Sequence, residues 1–304
     1  MLTPDFMEAV GGLEAQAILT DDALIYGEWN PECNCTHEAC LHQLSRLLHC
    51  VGLFLNALWL VKDNSVTFEL GFIQLKSPGK MPAWFSNFLA QTVQMADGTK
   101  TKVVFTRSEL RKGREIFRDV LLPLSLTGDE EVKGPKSFAI FGPINVANAT
   151  VPRLKRAFYF LSSARANRDL GMKVAMYCSL LESLFSTDSN EITHKISHRI
   201  SIFLTDHVKN RGDLYNRVKR AYGIRSKVVH GDALGADASK NITEVSRDID
   251  DICRRLLMKI ISDVSLIHQF NADKKSLDDY FLRSSFGDTS VMPSTHAPAS
   301  SSKK

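Results

Sequence analysis

The chain has 304 residues, 44% hydrophobic and 24% charged, with a formal net charge of +4. That length and balance support buried cores and two ordinary domains, and they exclude disordered and fibrous classes. Six cysteines, four of them between Cys33 and Cys50, fit thiols in a reducing compartment better than a disulfide framework. Charge is unevenly divided: residues 1–150 carry 13 Lys and Arg against 17 Asp and Glu, whereas 151–286 carry 23 against 16. The second part is the basic one, which suits a polyanionic partner.

In chain order, the opening MLTPDFMEAVGG has neither a basic start nor an apolar core with a small-residue cleavage site. No secretory leader is read there, and a cytoplasmic protein is expected. Alternating apolar runs at DDALIYGEW (21–29), NSVTFELGFIQL (64–75), TKVVFT (101–106) and KSFAIFGPINV (136–146) predict four short strands. Between them, Glu38 to Val61 has helical spacing in Leu41, Leu44, Leu48, Val51, Leu55 and Leu58. Its most apolar part, Cys50 to Val61, is about a dozen residues, short of the roughly 20 that span a bilayer. A buried helix is expected, with no membrane contact. A second helix is predicted over Arg107 to Leu121, opened by Thr106 or Ser108. Residues 1–150 therefore read as an α+β domain.

From Arg153 the strand signal disappears. The spacing predicts helices at 153–166, 169–185, 192–204, 213–230 and 242–269. Asp188 with Glu191 has the spacing of a capping box for the third, and Gly231 is placed to end the fourth. Connections of a few to about ten residues predict an all-α up-and-down bundle over 151–286. The last stretch, 287–304, is rich in Ser, Pro and Ala and is expected to be disordered.

The chemistry concentrates in YGIRSKVVHGD, residues 222–232. An imidazole can take a proton from a ribose 2′-OH or give one to the leaving 5′-oxygen. A guanidinium offers a fixed fork of donors to phosphate oxygens whose charge grows in the transition state. With the 2′-OH as nucleophile, such cleavage requires no metal or other cofactor. The spacing alone is weak, since an Arg followed by His at such a distance should arise by chance about 1.6 times in a chain of this composition. Five residues also place Arg225 and His230 roughly 140° apart on an ideal helix. Both would line one cleft if the helix relaxed at Gly231 or if two copies faced each other.

Context adds to the motif. The region reading AMYCSLLESLFS, then EITHKISHRISIFL, then VKRAYGIRSKVVHG resembles the HEPN superfamily, and closely its Apea-like branch. Glu182, Glu191, Arg199, Tyr222, Arg225, Ser226, His230 and Gly231 are the matching positions, within a resemblance covering about residues 151–285. The resemblance implies a HEPN bundle acting on RNA as a metal-independent endoribonuclease, completed as a homodimer, with Arg225 and His230 as catalytic pair and Ser226 assisting. It further implies a role in bacterial antiphage defence. An inactive RNA-binding or regulatory module of the same fold is the alternative.

Plainer roles stand beside these. Arg225 and His230 also suit a surface ion pair and a helix-end histidine favoured by the dipole. Glu182, in the stripe of Leu180, Leu181, Leu184 and Phe185, needs a partner; Arg199 on the next helix is the candidate for a structural salt bridge, with orientation of the site arginine as the functional alternative. Tyr222 shares a side of the helix with Arg225, where packing is its expected job. His194 and His198 have metal-chelating spacing but no third ligand, and read as a solvated face. The cluster CNCTHEACLH, with Cys33, Cys35, His37, Cys40 and His42, offers five zinc-type ligands or else a loop entering a helix.

Overall fold

A computed structural model of the chain describes residues 25, 37–68, 70–75, 83–88, 92–126, 151–188, 190–205 and 207–287. Its contacts divide it into two units, the first made of Met1–Leu55, Thr67–Gln91 and Glu131–Ile144, the second of Asn56–Val66, Thr92–Glu130 and Asn145–Lys304. The sequence expectation placed one boundary at 150. The contacts instead give residues 56–66 and 92–126 to the helical unit.

In the first unit, helix α1 (His37–Val61) contributes Leu44 and Leu48, which pack on Ile73 of strand β1 (Leu70–Leu75). The approach is close: a Cβ on Gly71 would lie 2.8 Å from Leu48 Cδ2 and 2.9 Å from Leu44 Cδ1. Strand β2 (Ala83–Phe88) pairs with β1 antiparallel, Leu70 opposite Phe88 and Leu75 opposite Ala83. This aromatic-rich strand was not foreseen, whereas only the end of the predicted 64–75 run is extended in a ladder. The predicted strands at 21–29 and 136–146 lie outside the described residues.

Within α1, Ala39–Val61 has a mean hydropathy of 1.6, long and apolar enough to cross a membrane by length and composition. Its C-terminal end is nonetheless core: Ala57, Leu58, Trp59 and Leu60 are at most 4% exposed inside the second unit. Of the buried helix expected over Cys50 to Val61, residues 55–60 are buried, and 50–54 and 61 are half-buried.

The second unit is helical. Helix α2 (Arg107–Ile116) starts at Thr106, whose hydroxyl accepts from Glu109 N while Glu109 accepts from Thr106 N, a complete capping box. A π turn (Phe117–Leu121) and a short helix α3 (Leu122–Leu126) continue it. The wide turn suits Pro123, which has no N–H for an i−4 carbonyl. The run 101–106 is not a strand: Thr101 O accepts from Ser65 Oγ and Val104 O from Lys62 Nζ, and Val104 is 78% exposed. Alternation without a partner strand does not make a sheet.

Helices α4 (Arg153–Ala166), α5 (Leu170–Phe185), α6 (Ile192–Leu204) and α7 (Val208–His230) follow. Helix α5, capped by Asp169 accepting from Met172 N, is the central one, in contact with α4, α6, α7 and α8. Its Val174, Cys178, Leu180, Leu181, Leu184 and Phe185 are fully buried, as an all-round apolar helix must be. The capping box expected at α6 does not form. Glu191 sits at the N-cap in the left-handed region (φ 50°) with no side-chain cap, and Asp188 accepts instead from Asn190 N and Lys195 Nζ.

Helix α7 begins at Val208, a turn and more before the expected 213. The predicted single helix over 242–269 is two, α8 (Ala236–Ile261) and α9 (Val264–Asn271), and a further helix that was not predicted, α10 (Lys274–Ser285), follows. Asp263 and Asp273 explain the breaks, each turning extended and accepting from N–H groups of the next helix. An all-α bundle is the observed fold of this unit. The tail 288–304 lies outside the described residues.

Candidate active site

Helix α7 carries YGIRSKVVHG as unbroken α-helix through His230. Gly231 adopts φ 77° and ψ 14°, the left-handed conformation that glycine adopts without steric cost. Asp232 N then donates to Lys227 O at 2.9 Å and Gly231 N to Val228 O at 3.2 Å, which is a Schellman close. The helix does not relax before it stops. The roughly 140° between Arg225 and His230 therefore stands, with Val229 and Ser226 in the arc between them.

The inner edge of that arc is anchored. Arg225 is half-buried, and its Nη2 lies 3.5 Å from Glu182 Oε1 on α5. Burial pushes the Glu182 carboxyl above its usual value, against the pull of the Arg225 guanidinium. Tyr222 itself is 5% exposed, with its hydroxyl 3.4 Å from Cys178 O, and burial raises its pKa strongly. Helix α5 also fixes the motif through Gly171, where a Cβ would stand 2.7 Å from Val228 Cγ2.

The outer edge is open. Ser226 and His230 are exposed, and Val229 keeps half its surface in solvent at 51%. No hydrogen bond, ion pair or ring contact joins Arg225, Ser226 and His230 among the described residues. One chain brings Tyr222, Glu182 and Arg225 together and leaves Ser226 and His230 to the surface. A 220 Å³ pocket elsewhere on α7 is lined by Thr205, Asn210, Asp213, Leu214, Arg217 and Arg255, and by none of the motif residues.

Arg199 is not the partner of Glu182. Its guanidinium donates to Phe185 O at 2.6 Å and Thr187 Oγ1 at 3.2 Å, pairs with Asp278 of α10, and lies 5.0 Å from the centre of the Phe281 ring. It ties α6 to α10, because the break after Asn271 brings α10 back across α6, a turn the sequence reading did not contain. The ion pair of Glu182 is therefore with Arg225 and not with Arg199.

His194 and His198 are exposed, as expected. Their rings stack 6.2 Å apart and His194 Nδ1 lies 2.9 Å from Tyr215 Oη, while partial desolvation and the neighbouring His194 depress His198. No group of three metal-type side chains occurs among the described residues. Of the possible zinc ligands, Cys33 and Cys35 lie outside those residues and so do the side chains of His37 and His42; Cys40 is 2% exposed on α1.

A buried charged cluster in the same unit was missed. Asp250 of α8, fully buried, accepts from Tyr177 Oη at 2.5 Å and Trp59 Nε1 at 2.9 Å and pairs with Arg254. Arg165 donates to Asn56 Oδ1 at 3.1 Å and to Asn64 O at 3.2 Å, and Asp63 accepts from Ala96 N at 3.0 Å. Lys173 is 0% exposed with no hydrogen-bond partner on Nζ among the described residues, and its pKa is pushed down to about 8 by burial. The signal for these was present as lone charges on otherwise apolar helix faces, Lys173 in α5 and Asp250 in α8. They join segments 56–66 and 92–97 to the bundle.

No family model, curated protein or solved structure matches this chain.

Proposed function

We propose that the protein is a metal-independent endoribonuclease of HEPN type, with its site completed by a second copy of the chain. The observation that carries this reading is the split character of the motif: Arg225 is paired with Glu182, while Ser226, Val229 and His230 face outward on the same arc. A fixed guanidinium suits a phosphate whose charge grows in the transition state. A solvent-facing imidazole suits a proton carrier. Two copies meeting on this arc would set the His230 of one against the Arg225 of the other, with Val229 as apolar contact between them.

In this reading His230 takes the proton of the 2′-OH or supplies one to the 5′-oxygen, Arg225 holds the non-bridging oxygens, and Ser226 orients one of them. The products carry 2′,3′-cyclic phosphate and 5′-OH ends. Antiphage defence is the biological setting that the family resemblance suggests. RNA cleavage in EDTA by the wild type, Arg225→Ala and His230→Ala is the test: both substitutions should abolish it, and mixing the two inactive variants should restore part of it. Activity that survives either substitution removes the assignment. The separation of Arg225 and His230 within one chain favours, as second reading, a non-catalytic RNA-binding module, which predicts RNA binding with no cleavage under any of these conditions.

A further inference from the structure

We propose that the outward face of α2 is a docking surface for the backbone of RNA, separate from the motif on α7. Arg107, Arg111 and Arg114 recur at helical spacing, so their Cα positions fall within an arc of about 60° and step about 4.5–6 Å along the axis. The opposite side of the helix is the one that packs: Gly113 and Ile116 are buried, with a Gly113 Cβ only 2.7 Å from Leu58 Cδ2, and Glu109 holds Lys62 at 2.8 Å. Packing therefore aims the three arginines straight into solvent.

All three are exposed, and none makes a side-chain hydrogen bond or ion pair among the described residues. By contrast Arg118, next in the row, is occupied by the neighbouring carboxylate of Asp119, Nε to Oδ1 at 2.6 Å. Like charges at three- and four-residue spacing weaken a helix, and Arg107 in the first turn opposes the dipole. Arg114, in the last turn, is favoured by the dipole, so the cost is the repulsion along the row, and it points to a ligand that supplies the missing negative charge.

The chemistry selects the ligand. A single file of guanidiniums matches a linear polyanion, each fork meeting one phosphate, better than a point charge would. Lys100, Lys102 and Lys112 add positive charge around the file, and residues 100–119 hold seven Lys and Arg against three Asp and Glu. An amphipathic membrane helix would show an apolar face beside the basic one, but here the apolar side is turned into the core. The choice of RNA among nucleic acids rests on the proposed ribonuclease reading. This surface would hold the strand while the motif on α7 acts on it.

The test is binding of a fluorescent single-stranded RNA to the full chain carrying His230→Ala, which separates binding from cleavage, at several salt concentrations. With Arg107, Arg111 and Arg114 all changed to Gln, the slope of log affinity against log salt should fall by about 2, and binding at 0.1 M salt should weaken about a hundredfold. The triple Arg→Lys variant should keep most of the slope. Thermal unfolding of the Gln variant should be unchanged or raised, since like-charge repulsion is removed. Unchanged affinity and slope in the Gln variant overturn the proposal, as does loss of binding to anionic vesicles with RNA binding intact. RNA held through this face by a wild type that never cuts it would reject the ribonuclease reading alone.

Discussion

Replacing Lys173 by methionine should stabilise the protein, and by an amount that depends on pH. The ammonium is 0% exposed without a hydrogen-bond partner among the described residues, and its pKa falls from 10.5 to about 8 on folding because burial disfavours the charged form more than Asp250 and Asp63 restore it. At 1.36 kcal/mol per unit, that displacement corresponds to roughly 3 kcal/mol of destabilisation wherever both states are protonated. Below pH 8 the full cost is present. Between 8 and 10.5 the unfolded chain binds the proton more tightly than the folded one, so this contribution to stability rises with pH and is complete above 10.5. Burial raises Cys178, Cys253, Tyr177 and Tyr222, which act in the opposite direction at alkaline pH. Wild type and variant share those groups, so their difference isolates Lys173. Urea unfolding followed by tryptophan fluorescence should give Lys173→Met an advantage about 3 kcal/mol larger at pH 7 than at pH 10.5. A difference that is flat over that range, or a variant less stable at pH 7, would refute the reasoning.

Asp250→Ala should cost about 3–5 kcal/mol by equilibrium unfolding, because it strips the acceptor from Tyr177, Trp59 and Arg254 at once and leaves a buried cation unpaired. Gly171→Ala should lose about 1–3 kcal/mol through the clash with Val228, and Val228→Ala in the same chain should recover most of it; the double variant's melting temperature decides. Glu182→Gln removes the charge that faces Arg225 while keeping the side chain's size. Its RNA cleavage in EDTA should drop at least tenfold, about 1.4 kcal/mol of transition-state stabilisation, with little change in melting temperature. Equal cleavage by this variant would make the Glu182 contact purely structural.

The sequence by itself determined much of the local structure from α4 to α6 and the ends of two further helices. Apolar spacing placed α4, α5 and α6 to within a residue, and Thr106 and Gly231 fixed two helix ends because a hydroxyl acceptor and a left-handed glycine act within a few residues of themselves. The arginine file on α2 was equally legible at i, i+4 and i+7, but summing charge over residues 1–150 averaged it against the acidic start of the chain. Only the tertiary structure decided the partners. Glu182 faces Arg225 because α5 packs along α7, and Arg199 turns to Asp278 because the chain breaks at Asp263 and Asp273 and brings α10 back across α6. The same packing gathers Trp59, Arg165, Tyr177 and Asp250, spread over nearly two hundred residues, around one buried carboxylate. Periodicity reports which face of an element is buried, whereas pairing of charges depends on which elements meet, and that is set by the whole core together.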